Sequence, residues 1–503
     1  MLMNSLDPDV AEQPDNLIAC GATGRVLRDW ESYNAATEAL KSLRNDETLV
    51  VQSGVPIGVI KTQQEAARVI ITSTGQVGCG LTPDQSDQLG QRRLPMLAGT
   101  DPASWTYTGT QDALPTAFQV LDAIAQIHFG GNLGGKLIVS GGMGAAGGSL
   151  PHAAGMLGGA FLGIDVDGER IRRRIRTGYC DYCVNTLDEA LRILKNAVRQ
   201  KQSISVGLVG NCSDLMPELA NRGVLPDILT DQTSTHDLLN GYIPSGLDAV
   251  QASMLRHKSP EEYLSRSRES IVRHFNAMVA LKKLGSIVFE FGNNLCAKAQ
   301  KCGVVGATTA FPNFVETYAP LLLDEGKSLV RWVALSGGPG DIRRLDDLVI
   351  ELLPDDPQLA RWIPLARKYV RFQGLPARVC WMDQAACILL AGRVNKLVAE
   401  GVFKAPIAIA LNHVGRDAVT SRHVGAEGQK HPFEAANSRQ PVDSLLNAAL
   451  GASWLSLETG PGYSHATVVL VADGTPETAN ALPRVLKKDF AREVLRQAAA
   501  VLE

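Results

Sequence analysis

The residues best placed to do chemistry in this 503-residue chain are the glycines of Gly142-x-Gly144-x-x-Gly147 and an acid that follows them, Asp165. An apolar run, Leu137-Ile138-Val139, leads into the glycines, and a small-residue segment and a second apolar run carry the chain to the acid. Glycines admit the close approach of a pyrophosphate and a helix N-terminus favours its charge. An acid roughly 20 residues further on suits a ribose hydroxyl pair, so the pattern predicts a dinucleotide site. The bland alternative is a tight turn in a chain with 48 glycines. Cys380 stands two residues after Arg378, whose charge favours a thiolate if the backbone turns it that way. On residue type alone, a buried structural cysteine competes with that role. Arg331, ahead of Trp332 and the turn Leu335-Ser-Gly-Gly-Pro-Gly340, is suited to clamp a carboxylate with both arms, or else to make a surface ion pair. His236 has no second histidine or acid at ligand spacing, and Cys180-Asp-Tyr-Cys183 is a lone pair of thiols, so no metal site is read. Neither GxSxG nor GxxxxGK[ST] occurs, which disfavours hydrolase and P-loop chemistry.

These residues need elements to hold them. Strand-like runs fall at Lys136–Ser140, Phe161–Val166, Ser203–Val209, Ile228–Thr230 and Ile287–Phe291, with helix-like spacing between them, clearest over Leu187–Lys201. That alternation predicts an α/β unit, a doubly wound parallel sheet with both faces covered. Ligands of such sheets lie beyond the carboxyl ends of the strands. Three of the ends run into polar loops: Gly210-Asn211-Cys212-Ser213, Asp231-Gln232-Thr233-Ser234-Thr235-His236-Asp237 and Gly292-Asn293-Asn294. The flanking segments lack the alternation, so the coarse expectation is a nucleotide domain inserted into a second, composite domain, with the reaction in the cleft between them.

Composition excludes several classes. With 45% hydrophobic and 20% charged residues and a net charge of -3, the chain has no general field for nucleic acid or an acidic membrane surface. No apolar run approaches a membrane span. The start, MLMNSLDPDVAEQ, reads as no secretory signal, and nine scattered cysteines predict free thiols in a reducing cytoplasm.

Taken in order, the motifs resemble those of the urocanase (urocanate hydratase) family. They are Cys20-Gly-Ala-Thr-Gly-Arg25 with Arg28-Asp-Trp30, Val51-Gln-Ser-Gly-Val-Pro-Ile-Gly58, the glycine loop, Asp231-Gln-Thr-Ser-Thr-His-Asp-Leu-Leu-Asn-Gly-Tyr242 and Phe291-Gly-Asn-Asn294. The C-terminal half adds Arg331-Trp-Val-Ala-Leu-Ser-Gly337, Phe372-Gln-Gly-Leu-Pro-Ala-Arg378 with Cys380, and Leu445-Leu-Asn-Ala-Ala-Leu-Gly-Ala-Ser-Trp454. The resemblance implies a homodimeric hydro-lyase in which a Rossmann-like NAD domain, residues 108–317, interrupts a core domain built from 1–107 and 318–503. It implies one tightly held NAD per subunit, used as an electrophile toward the substrate ring and recovered unchanged. By resemblance the NAD contacts fall on Gly21, Ala22, Ala145, Ala146, Gly147, Asp165, Arg170, Asn211, Cys212, Gln232, Thr233, Ser234, Thr235, His236, Tyr242, Ile243, Phe291 and Gly460. Cys380 matches the family's active cysteine and Arg331 the arginine that holds the propenoate carboxylate.

The departures from the family pattern cluster where the ring would sit. The family's Tyr-Gly-Gly is Cys20-Gly21-Ala22, a pocket glutamine and threonine correspond to about Gly99 and Asp101, and Gly-Arg-Asp-His is Ala410-Leu411-Asn412-His413. The family aspartate is therefore Asn412, with His413 beside it. The Asn-Arg-Glu-Thr-Glu stretch is not recognisable, and the glycine-rich tail loop shrinks to Gly460-Pro461-Gly462. Loss of an acid that pairs with a substrate N–H should weaken ordinary urocanate. The expectation is a ring-substituted urocanate: S-methyl-thiourocanate first, then thiourocanate (both from ergothioneine breakdown) or an N-methylurocanate. Ordinary urocanate of histidine degradation is the alternative. An NAD-dependent dehydrogenase and a non-catalytic NAD-holding regulator are the readings from other classes.

Overall fold

A computed structural model describes residues 1–20, 24–74, 102–235, 237–318, 327–412, 439–460 and 463–487. A short antiparallel pair, β1 (Ile18–Cys20) and β2 (Gly24–Arg25), precedes two larger sheets. The central segment forms a six-stranded sheet from β6 (Leu137–Gly141), β7 (Ala160–Asp165), β8 (Tyr182–Val184), β9 (Ser205–Val209), β10 (Ile228–Asp231) and β11 (Ile287–Val288). Its order is β11-β10-β6-β7-β9-β8, and every pairing is parallel.

The apolar runs of β6 and β7 are buried at every position because helices cover both faces. Ile138 and Phe161 pack on one face with the helices Leu114–Phe129 and Leu150–Met156. Leu137, Val139, Leu162 and Ile164 pack on the other with Leu187–Gln200, Cys212–Asn221 and Pro260–Lys283. The helix predicted at Leu187–Lys201 is observed at Leu187–Gln200, capped by the Thr186 side chain, which accepts from Glu189 N. Two expectations need correction. The run Ile287–Phe291 pairs in the sheet only over Ile287–Val288, because Glu290 bridges to Asn313 instead. The short edge strand β8 had no apolar run to announce it.

The flanks hold more order than their sequence suggests. Strands β3 (Glu47–Gln52), β4 (Val55–Lys61) and β5 (Val69–Thr74) join β12 (Ser328–Ala334), β13 (Ala377–Met382), β14 (Ile407–Asn412), β15 (Trp454–Gly460) and β16 (Tyr463–Ala472) in one mixed sheet. Its order is β13-β12-β14-β16-β15-β5-β3-β4. The seam is the parallel pairing of β5 with β15, in register from Val69↔Trp454 to Thr74↔Thr459. The two sheets share one apolar core, in which Phe118 meets Trp362 with ring centroids 5.2 Å apart. Among the described residues, no helix is long and apolar enough to cross a membrane.

Candidate active site

The strand order reverses between β6 and β10, and the glycine loop opens at that point, beyond Gly141. The three motif glycines have different jobs. Gly142 has φ +78, and a Cβ there would stand 2.5 Å from the Gln232 carbonyl oxygen. A Cβ on Gly147 would collide with the Gly142 carbonyl oxygen. At Gly144 a Cβ would meet nothing within 4 Å, so this glycine faces open space where a phosphate can approach. Ala145 and Ala146 continue the turn, with Ala146 exposed.

Asp165 ends β7 as the spacing required, and its carboxylate is engaged by the loop. One oxygen accepts from Met143 N at 2.6 Å and the other from Asp167 N at 2.9 Å. Arg170 stands 3.7 Å away. Burial pushes the Asp165 carboxyl up, and Arg170 and the two backbone donors oppose that shift. Asn211 caps the helix Cys212–Asn221 by accepting from Ser213 N at 2.9 Å, and its amide donates to Ile243 O at 2.9 Å. Asn211, Cys212 and Ile243 thus meet at one helix start. Gln232 donates through its amide to Phe291 O, and Thr235 through its hydroxyl to Asn293 O. Gln232 N donates to Gly141 O at 2.8 Å, so the Gln232–Thr235 loop is tied directly to the glycine loop. The Ser234 carbonyl packs where a Cβ on Gly241 would fall 2.7 Å from it, next to the buried Tyr242. Gly21, Ala22, His236 and His413 lie outside the described residues, as do Gly99 and Asp101. Gly460 ends β15 opposite Tyr463.

Arg331 lies on β12, buried, with Nε donating to Asp112 Oδ1 at 2.7 Å. Asp112 is held in turn by Thr108, whose N donates to Oδ2 at 2.8 Å. The arginine's Nη1 is buried with no hydrogen-bond partner. Arg331 is therefore neither a surface ion pair nor a free cation; it is an oriented guanidinium with one donor arm spare. Asn412 ends β14, whose Ala410 is in register with Arg331, and the Asn412 side chain lies outside the described residues.

Cys380 lies apart from Arg331. Cys380 pairs with Val330 and Arg331 with Val379, so alternation sends the two side chains to opposite faces of the sheet. Cys380 packs in the helix-covered core with Val330 and Leu411. Burial pushes its thiol up to about 12, with Arg378 opposing the shift. Arg378 is itself paired with Asp346, which takes its Nε and Nη2 at 2.6 and 2.8 Å. Cys180 and Cys183 are separate free thiols.

Sequence reasoning missed Arg174. Fully buried, it donates from Nε to Met143 O at 3.0 Å, from Nη1 to Thr110 Oγ1 at 2.7 Å, and from Nη2 to Glu12. Thr110 begins the short turn Thr110–Asp112 that ends in the partner of Arg331. A continuous relay, Met143–Arg174–Thr110…Asp112–Arg331, thus joins the glycine loop to the spare guanidinium arm. Gln373 of the Phe372–Arg378 motif fixes that turn by accepting from Thr110 N at 2.5 Å. The string of arginines at 172–174 and 176 gave only a charged helix face as its signal.

The sequence also gave no hint of a metal, yet three distant residues converge under the loop. Cys212, Asp231 and His274 bring one ligand atom each to within 4.8 Å of one another, all buried.

Three family models match the chain: the urocanase N-terminal domain over residues 1–106, the urocanase Rossmann-like domain over 109–318 and the urocanase C-terminal domain over 320–503. Nearly the whole chain is matched, and the parallel sheet with its glycine loop falls inside the Rossmann-like segment. The chain belongs to the urocanase family of hydro-lyases.

Proposed function

We propose that this protein adds water to a urocanate bearing a ring substituent, S-methyl-thiourocanate first, with NAD held by the Rossmann-like domain. The observation that carries the reading is the relay from Met143 to Arg331, which ties the cradle for a dinucleotide to a buried guanidinium with a spare arm. The loop fits that cofactor on its own geometry, through the open space at Gly144 and the capped helix start at Asn211. When bound, NAD supplies an electrophilic centre toward the substrate ring.

The chain's own residues bind, orient and exclude water. Met143 N and Met143 O are fixed by Asp165 and Arg174, so this part of the cradle is preorganised before a ligand enters. Arg331 offers Nη1 to the acrylate carboxylate while Asp112 holds Nε, which sets the plane of the guanidinium. Asn412 in place of an acid removes a charged partner for a ring N–H and favours a neutral, bulkier ring. In this reading Gly21, Ala22, Arg170, Thr233, His236, Phe291 and Gly460 complete the NAD contacts, His413 stands by the ring, and the enzyme works as a cytoplasmic homodimer. The family match itself favours a second reading, ordinary urocanate as the preferred substrate.

The test is a panel of urocanate, thiourocanate, S-methyl-thiourocanate and N-methylurocanate, incubated with the NAD-loaded protein while acrylate absorbance is followed. S-methyl-thiourocanate should give the highest kcat/KM, and urocanate should trail by about 10-fold or more. Urocanate turned over as fast as every analogue would overturn the substrate assignment. In the same assay Arg331→Lys, which keeps the charge and loses the fork, should lower kcat/KM for all four acrylates by about 10-fold to 100-fold.

A further inference from the structure

We infer that Cys212, Asp231 and His274 form a buried site for one divalent transition-metal ion, zinc by its donor set, beneath the glycine loop. The three ligands come from the start of the helix Cys212–Asn221, the end of β10 and the middle of the helix Pro260–Lys283. Asp231 Oδ1 and His274 Nε2 are 3.7 Å apart, too far for a hydrogen bond. Both atoms are buried, and neither has a hydrogen-bond partner. Their separation is close to the edge of a tetrahedron with bonds of about 2.1 Å, the usual length for zinc with nitrogen or oxygen. A Cβ on Gly141 would collide with Asp231 Oδ1 and stand 2.7 Å from Cys212 Sγ, so both atoms aim into one small space.

The outward atoms of the same side chains are already held. Asp231 Oδ2 accepts from Thr233 Oγ1 at 2.6 Å and from the Asn293 amide, and His274 Nδ1 faces the Tyr242 hydroxyl at 3.4 Å. Cys212 Sγ donates to Ile164 O at 3.7 Å, so the orphaned inner atoms are the two from Asp231 and His274. Outer partners satisfied beside orphaned inner atoms is the pattern of a metal centre and its supporting hydrogen bonds. Charge points the same way. Arg170 pairs with Asp165 and Arg273 with Asp214, whereas among the described residues no lysine or arginine pairs with the buried Asp231. A bound cation would take the thiol as a thiolate ligand. The ion would pin the Asp231–Thr235 loop and the helix start at Cys212 to the long helix behind them.

The experiment measures metal in protein purified without a histidine tag, by plasma mass spectrometry, alongside Cys212→Ser and His274→Gln. The wild type should carry about one zinc per chain, and each variant should fall to about a tenth of that or less. Chelated wild type reloaded with cobalt should show a thiolate charge-transfer band that Cys212→Ser lacks. Zinc should raise the melting temperature of the chelated wild type and leave that of Cys212→Ser unmoved, a comparison that holds even if His274→Gln folds poorly. Wild type without metal and without response to added zinc or cobalt would overturn the inference, as would metal content indifferent to both substitutions.

Discussion

At the scale of single residues, the site is decided by which side chains are left with something to do. Arg331 keeps a spare buried donor because Asp112 occupies only its Nε. Cys380, one strand away, has neither exposure nor a cation of its own, since Asp346 holds Arg378. Its thiol, raised to about 12, is present as thiolate at pH 8 in only about 10⁻⁴ of molecules, against about 0.2 for an ordinary cysteine. Iodoacetamide at pH 8 should therefore label Cys380 in native protein at least about 100-fold more slowly than free cysteine. Peptide mapping by mass spectrometry measures this, and rapid labelling of Cys380 would show a reactive, accessible thiol. Sequence alone placed Cys380 and Arg331 together because both lie in family-like motifs. Their separation depends on a one-residue register between β12 and β13, which only the pairing of strands reveals.

At the scale of elements, the glycine loop and the strands beneath it were the most legible part. Strands buried on both faces must be continuously apolar, so β6, β7, β9 and β10 stood out in the sequence. The mixed sheet was not legible, because its seam joins β5 to a strand more than three-quarters of the chain away. Nor could the Cys212, Asp231 and His274 grouping be read, since three separate elements supply it. The loop's geometry makes a paired prediction. Gly144→Ala should leave the melting temperature nearly unchanged and lower NAD content, because its Cβ enters open space. Gly147→Ala should lose NAD and also cost about 1–3 kcal/mol of stability, because its Cβ strikes the Gly142 backbone. NAD content after purification and thermal melts check both, and equal destabilisation by the two variants would contradict the loop's division of labour.

At the scale of the whole molecule, the two sheets are latched through buried polar contacts as well as the shared core. His152 Nε2 donates to Tyr369 O at 2.7 Å, and Tyr179 OH donates to Arg371 O at 2.9 Å. Burial lowers His152 below its ordinary 6.5, while the Tyr369 carbonyl and Asp181 pull it up and Arg371 adds to the lowering. The folded state then prefers the neutral ring and the unfolded chain takes up the proton first. This contribution is complete above about pH 6.5 and is lost as pH falls below it, by at most about 1.4 kcal/mol per pH unit. Melting temperature should drop less between pH 7.5 and 5.5 for His152→Gln than for wild type, in about the range one titrating group allows. Identical pH profiles would remove His152 from the latch.

The most direct measurement for the account as a whole is the mass of the product formed in ¹⁸O-labelled water by protein purified without added NAD. Hydration with no net redox change predicts a product equal to the urocanate substrate plus one molecule of labelled water, with no build-up of reduced nicotinamide absorbance. A product differing from substrate by hydrogen alone, or no product from any urocanate in the panel, would contradict it.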